Sequence, residues 1–189
     1  MNYSFIKNVI TEGRPTSLSI DALPYGMDDL APVISKDTLE YHFGHLAKTY
    51  AKRYNAGEGD PAFNEAGVFL HNILFKQYQE SNGKLNKPFG KSLELIEKHY
   101  KNFDNFKEEF TKVAMGIQGS GWVYLARDGT IKTIVNHSIK KDIVVLVDWW
   151  EHAWALDYQH DKKKYLENQW KIINWEHINT VNFKGDSNE

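Results

Sequence analysis

The chain has 189 residues, 41% hydrophobic and 25% charged, the profile of an ordinary globular protein that can bury a core without disulfide staples. Its formal net charge of -2 gives no basic field for nucleic acid, and no stretch approaches the roughly 18 apolar residues of a membrane span. Cysteine is absent, which excludes disulfides, thiolate metal sites and a cysteine nucleophile, so any metal must be held by imidazole and carboxylate.

Met1 to Asp21 carries Lys7 and Arg14 but no apolar core of a secretory signal, so the expected location is cytoplasmic. After the turn-like stretch from Asp21 to Gly26, Asp37 or Ser35 can cap a helix over Thr38 to Tyr54, whose apolar positions are Leu39, Phe43, Leu46 and Tyr50. The breaker cluster from Asn55 to Pro61 ends it, and a second helical pattern runs from Phe63 to Tyr78. Two helices joined by a short loop predict an antiparallel hairpin. Ser81-Asn82-Gly83-Lys84 and Asn86-Lys87-Pro88 mark a composition shift, which places a domain boundary at 86 and divides the chain into 1–86 and 87–189.

Lys91 to Tyr100 and Asn105 to Gln118 read as amphipathic helices. From Gly119 the period changes. Gly121 to Ala126, Thr130 to Asn136 and Ile143 to Val147 are aromatic or β-branched and bounded by turn residues, with Asp128-Gly129 as a hairpin turn. Trp149 to Tyr158 and Lys164 to Trp175 return to helical spacing. The fold class is therefore α+β: helices, a small three-stranded antiparallel sheet, then helices.

Of eight histidines, His152 stands out because Asp148-Trp149-Trp150-Glu151-His152 follows an apolar strand, with Asp and His four positions apart. A carboxylate with imidazoles suits iron or manganese when one coordination position stays open. A helix cap beside a surface histidine is the plainer account of that pair. Trp149, Trp150 and Trp154 argue against it, since a carboxylate among such apolar bulk is penalised unless a cation compensates. A helical di-metal carboxylate site is set aside, because it relies on E-x-x-H pairs and no glutamate here has a histidine three residues later.

Asp148-Trp149-Trp150-Glu151-His152-Ala153 resembles the D-x-W-E-H-A signature of the iron/manganese superoxide dismutases. Leu23-Pro24-Tyr25, Thr38-Leu39-Glu40-Tyr41-His42 with Tyr50 beyond it, Gly119-Ser120-Gly121-Trp122 and Asn174-Trp175-Glu176 resemble further family segments in the same order. The likeness covers roughly residues 20 to 180. It implies an N-terminal helical hairpin, a C-terminal α/β domain with a three-stranded sheet, and one iron or manganese ion per subunit between them. Iron is the first expectation and either metal is compatible. The implied ligands are His42, His71, Asp148 and His152. His71 is the ligand that needs an adjustment, because the family usually has Asn-His where this chain has His71-Asn72.

The resemblance further implies that superoxide is converted to oxygen and hydrogen peroxide, and that Tyr50 belongs to the relay supplying protons. The family's relay glutamine is missing: its two usual places carry Gly67 and His137, so His137 is expected to replace it, although a histidine ordinarily titrates near neutrality. Phe75 falls where the family has an aromatic wall, Trp122 and Trp150 would line the site, and Glu151 matches a glutamate that orients a ligand histidine of a second subunit. That implies a homodimer, or a tetramer built on it. Leu46 and Ala155 stand where the family commonly pairs a histidine with a tyrosine at the substrate entrance, and replacing both avoids stranding one polar partner. His45 is expected to face solvent, while Lys48, Lys52 and Arg53 could draw the anion inward. The departures at Leu46, Ala155 and His137 keep open an alternative, a non-catalytic metal-binding protein of the same fold.

Overall fold

The computed structural model describes residues 15–183; the reading of Met1 to Arg14 lies outside them. The first long helix starts two residues before the sequence expectation, because Ser35 provides the cap: its Oγ accepts from the Thr38 backbone N–H at 3.1 Å. Three consecutive segments make up this helix. They are α1 (Lys36–Leu39), a wider π-helical segment (Glu40–Ala47) that carries His42, and α2 (Lys48–Ala56), which stops at Gly57 in the left-handed region.

Asp60 then caps α3 (Pro61–Lys76), accepting from Ala62 and Phe63 at 2.8 and 3.1 Å, with Pro61 in the first turn where its missing N–H is harmless. α2 and α3 pack together as the expected hairpin. The preceding tail is laced onto it. Asn55 pairs with the backbone of Leu18, Asn72 accepts from Asp21 N–H and donates to Ser19 O, and the Tyr25 hydroxyl donates to Phe75 O at 3.0 Å.

α4 (Gly90–Tyr100) and α5 (Phe103–Met115) follow. α5 starts earlier than expected because Asn102 caps it, accepting from Asn105 N–H at 2.8 Å, and it ends at Met115 rather than Gln118. β1 (Gly121–Ala126), β2 (Ile131–Val135) and β3 (Ile143–Asp148) form an antiparallel sheet in the order β2-β1-β3. Gly129, at φ +81°, makes the β1–β2 turn. β1 and β3 are buried along their whole length, whereas in β2 only Ile134 is buried. β1 is thus the centre of the core that α3, α5 and the last helices cover.

Two expected helical runs are corrected. Trp149 to Tyr158 is not one helix: the chain stays extended through Trp150, makes a single tight turn (Glu151–Ala153), and only then forms α6 (Ala155–Tyr158). The cause is local, since Asp148 Oδ1 accepts from Trp150 N–H at 2.8 Å and diverts the backbone from the helical path. Lys164 to Trp175 divides into α7 (Lys162–Gln169) and α8 (Trp175–Val181). Between them Ile173 makes a β-bridge to Tyr78, and Asn174 caps α8 by accepting from His177 N–H at 2.9 Å.

Candidate metal centre

His42 comes from the π-helical segment, His71 from the middle of α3, Asp148 from the last position of β3 and His152 from the tight turn after it. Their ligand-type atoms lie within 4.8 Å of one another. Asp148 Oδ2 is 3.1 Å from His42 Nε2, 3.3 Å from His152 Nε2 and 3.8 Å from His71 Nε2, while the His42 and His71 Nε2 atoms are 3.0 Å apart. Donor atoms about 2.0–2.2 Å from one ion at angles of 90–120° stand roughly 2.8–3.8 Å apart. The four side chains therefore have the spacing of a coordination shell.

Their protonation states agree with that. Burial alone would push the Asp148 carboxyl up, but the imidazoles of His152 and His42 hold it well below the usual carboxylate range. Burial lowers His42 and lowers His71 further still, the latter reinforced by His42 beside it. His71 Nδ1 lies 2.6 Å from the Gly67 carbonyl, which assigns its proton to Nδ1 and leaves Nε2 a lone pair directed into the cluster. Asp148 Oδ2 and His152 Nε2 are buried without a hydrogen-bond partner. The ionised Asp148 carboxylate, the His71 lone pair and the Nε2 atoms of His42 and His152 converge on one point, and this imidazole–carboxylate set suits a first-row transition metal.

Residues 17–60 match the alpha-hairpin domain of the iron/manganese superoxide dismutases, and residues 88–181 match the C-terminal domain of the same family. The superoxide dismutase [Mn/Fe] of Porphyromonas gingivalis is 37% identical over 182 residues, 82% of this chain and 94% of that protein. The superoxide dismutase [Fe] of Bordetella pertussis is 34% identical over 84% of this chain and 95% of its own, and that of Escherichia coli K12 is 31% identical over 86% and 96%. The chain belongs to the iron/manganese superoxide dismutase family.

The departures from the family pattern can now be placed. Asn72 is not in the cluster; it is held by the tail at Ser19 and Asp21, so His71 is the residue that reaches the other three. His137 is buried, 8% exposed, rather than a strand-end histidine in solvent. It stacks on Trp150 at 4.7 Å and meets the edge of Tyr50 at 4.9 Å. Trp122 Nε1 donates to His137 Nδ1 at 3.2 Å, leaving Nε2 without a partner. Burial pushes His137 down to about 4, which corrects the expectation of titration near neutrality. Burial, assisted by the Asp148 charge, raises the half-buried Tyr50 hydroxyl to about 12.

Phe75 contacts both His42 and His71, at 5.1 and 5.8 Å between ring centres. Trp122 packs its indole against His71 at 5.1 Å, and Trp150 stacks on His152 at 5.7 Å. Trp149 and Trp154 are buried in the core and also lie under the Lys162 ammonium, at 5.5 and 4.7 Å. Leu46 and Ala155 are half-buried, and Glu151 and His45 are exposed on the single chain. Lys48, Lys52 and Arg53 are exposed, with Lys48 lying 4.7 Å over the Phe43 ring.

The sequence reading missed Phe63, whose ring lies 4.6 Å from His137, 6.0 Å from Tyr50 and 6.4 Å from Trp150. The signal was available. Phe63, Gly67, His71 and Phe75 recur every four residues and so form one ridge of α3, and every member of it faces the site.

Proposed function

We propose that the chain is a superoxide dismutase that holds one iron or manganese ion through His42, His71, Asp148 and His152 and converts superoxide to oxygen and hydrogen peroxide. The observation that carries this reading is the convergence of an ionised carboxylate oxygen and three imidazole nitrogens within 4.8 Å. Iron is the ion assigned first and manganese is accommodated by the same donors. Relatives named for iron and for manganese/iron support that range. When bound, the ion supplies reversible one-electron chemistry, taking an electron from one superoxide and giving it to the next.

Proton supply falls to Tyr50 and His137. A phenol held at about 12 stays protonated at neutral pH and can donate. With Trp122 donating to Nδ1, neutral His137 carries its proton on Nε2, so it offers an N–H where the family offers a glutamine amide. Phe63, Phe75, Trp122 and Trp150 keep bulk water from the site. Leu46 and Ala155 make an apolar entrance, and Lys48, Lys52 and Arg53 supply local positive charge for an anionic substrate.

This reading includes a homodimer in which Glu151 orients a ligand histidine of the other subunit, and a division of the chain at residue 86, which is supported by family matches that end at 60 and resume at 88. It also includes a cytoplasmic location, which a cysteine-free composition accommodates. No helix among the described residues is long and apolar enough to cross a membrane.

The test is to load metal-free protein separately with iron and with manganese and follow superoxide decay. At least one form should greatly exceed the same concentration of free ion. Equality for both would leave only the alternative, a non-catalytic metal-binding protein. Replacing His137 by Gln should change the preferred metal or the pH profile of the active form.

A further inference from the structure

β3 pairs with β1 on one side only, so the N–H and C=O groups on its other edge must find partners elsewhere. Side chains provide them. Val144 O accepts from Asn182 Nδ2 at 2.7 Å. Leu146 uses both its backbone groups on the Gln77 amide: its N–H donates to Oε1 at 3.0 Å and its carbonyl accepts from Nε2. Asp148 O accepts from the Tyr165 hydroxyl at 3.0 Å. Three side chains thus stand in for a missing strand at alternate residues, and the last of these contacts falls on Asp148 itself.

The origin of these side chains matters more than their number. Gln77 caps the C-terminus of α3, six residues after His71, and it grips β3 two residues before Asp148. Gln77 is fully buried and its own carbonyl accepts from Asn174 N–H at 2.8 Å, so the amide has no freedom to turn away. Tyr165 is equally buried on α7, and one turn further along that helix Gln169 accepts from the Tyr78 hydroxyl at 2.7 Å. The helix bearing His71 and the strand bearing Asp148 are therefore joined directly by Gln77 and indirectly by Tyr78, α7 and Tyr165.

We propose that Gln77 and Tyr165 are positioning residues that set Asp148 against His71 through the open edge of β3. This rests on the reading of Asp148 and His71 as metal ligands. Groups that orient ligands from one shell out are worth about 10- to 100-fold in metal affinity; Tyr165 acts through the Asp148 peptide rather than its carboxylate, which puts its effect at the lower limit.

The experiment compares full-length wild type with Tyr165→Phe, Gln77→Asn and Asn182→Ala. Manganese(II) affinity is measured by competition with a chelating dye, and thermal midpoints are measured with and without the ion. Tyr165→Phe keeps the ring and removes only the hydroxyl, and Gln77→Asn keeps an amide too short to span both Leu146 groups. Each should weaken manganese(II) binding about tenfold and shrink the rise in midpoint that the ion produces. Asn182→Ala, which touches the same edge four residues from Asp148, should lower both midpoints alike and leave affinity unchanged. If the first two variants behaved as Asn182→Ala does, the edge would be merely structural and the proposal overturned. If wild type itself gained neither affinity nor midpoint from manganese(II) or iron(II), the metal-centre reading would fall and this inference with it.

Discussion

The ring of Tyr50 lies directly on Gly67, so closely that a Cβ at position 67 would stand 2.9 Å from the tyrosine Cγ. One of the two places from which the family supplies its relay glutamine is therefore filled here by the Tyr50 ring. The Gly67→Ala exchange sets two effects against each other. Alanine favours the helix by about 1 kcal/mol over glycine, but overpacking against a ring costs about 1–3 kcal/mol. The clash should win, with a net loss of about 1 kcal/mol in denaturant unfolding. In a Tyr50→Ala background the same exchange should become stabilising, and a double-mutant cycle showing no such reversal would remove the contact from the account.

His71 and Asn72 give a sharper contrast because they are adjacent and have unrelated duties. His71→Ala deletes one of four convergent groups and should abolish metal retention after dialysis, read by elemental analysis. Asn72→Ala releases Ser19 and Asp21 from α3 and should lower unfolding stability by about 1 kcal/mol while the protein keeps its metal. Metal loss in the Asn72 variant with retention in the His71 variant would reverse the assignment.

Much of this was legible in the sequence because it depends on local pattern. Asp60-Pro61 announces the start of α3, the aromatic and β-branched runs announce β1 and β3, and the D-x-W-E-H-A segment announces its family. What was not legible depends on contacts between distant segments. The break between α7 and α8 is set by a bridge from Ile173 to Tyr78, which no helical period reveals. The burial that keeps His137 neutral comes from Phe63, Trp122 and Trp150, brought from three separate elements. Phe63 was readable as one step of a four-residue ridge but looked, by itself, like ordinary core.

The neutral His137 has a consequence for acid stability in the metal-free protein. Its folded value is about 4, below the ordinary 6.5, so as pH falls the unfolded chain takes up a proton first. The stabilisation is complete above about pH 6.5, is lost progressively down to about pH 4, and levels off below that. The full loss is about 3 kcal/mol. His42 and His71 are also lowered and act in the same direction, so the comparison must isolate one group. Urea unfolding of metal-free wild type and His137→Gln at pH 7.5, 5.5 and 4 should show the wild type losing more stability, by about 3 kcal/mol over the full range. Parallel losses in the two proteins would mean that His137 is not held neutral by the fold.

Glu151 is exposed on the single chain and opens the tight turn that ends just after His152. A carboxylate at the start of such a turn is worth at most about 1 kcal/mol through the backbone dipoles, and that contribution is independent of protein concentration. A carboxylate that reaches a ligand imidazole of a second subunit behaves differently, because its loss acts on association and on the metal together. Glu151→Ala should therefore shift sedimentation towards monomer at micromolar concentrations, make the thermal midpoint depend more steeply on concentration, and weaken metal retention about tenfold. Glu151→Gln, which can still hydrogen-bond, should restore part of all three. A variant that sedimented as wild type and kept its metal, with only a small concentration-independent drop in midpoint, would confine Glu151 to its own turn and leave subunit pairing to other surfaces.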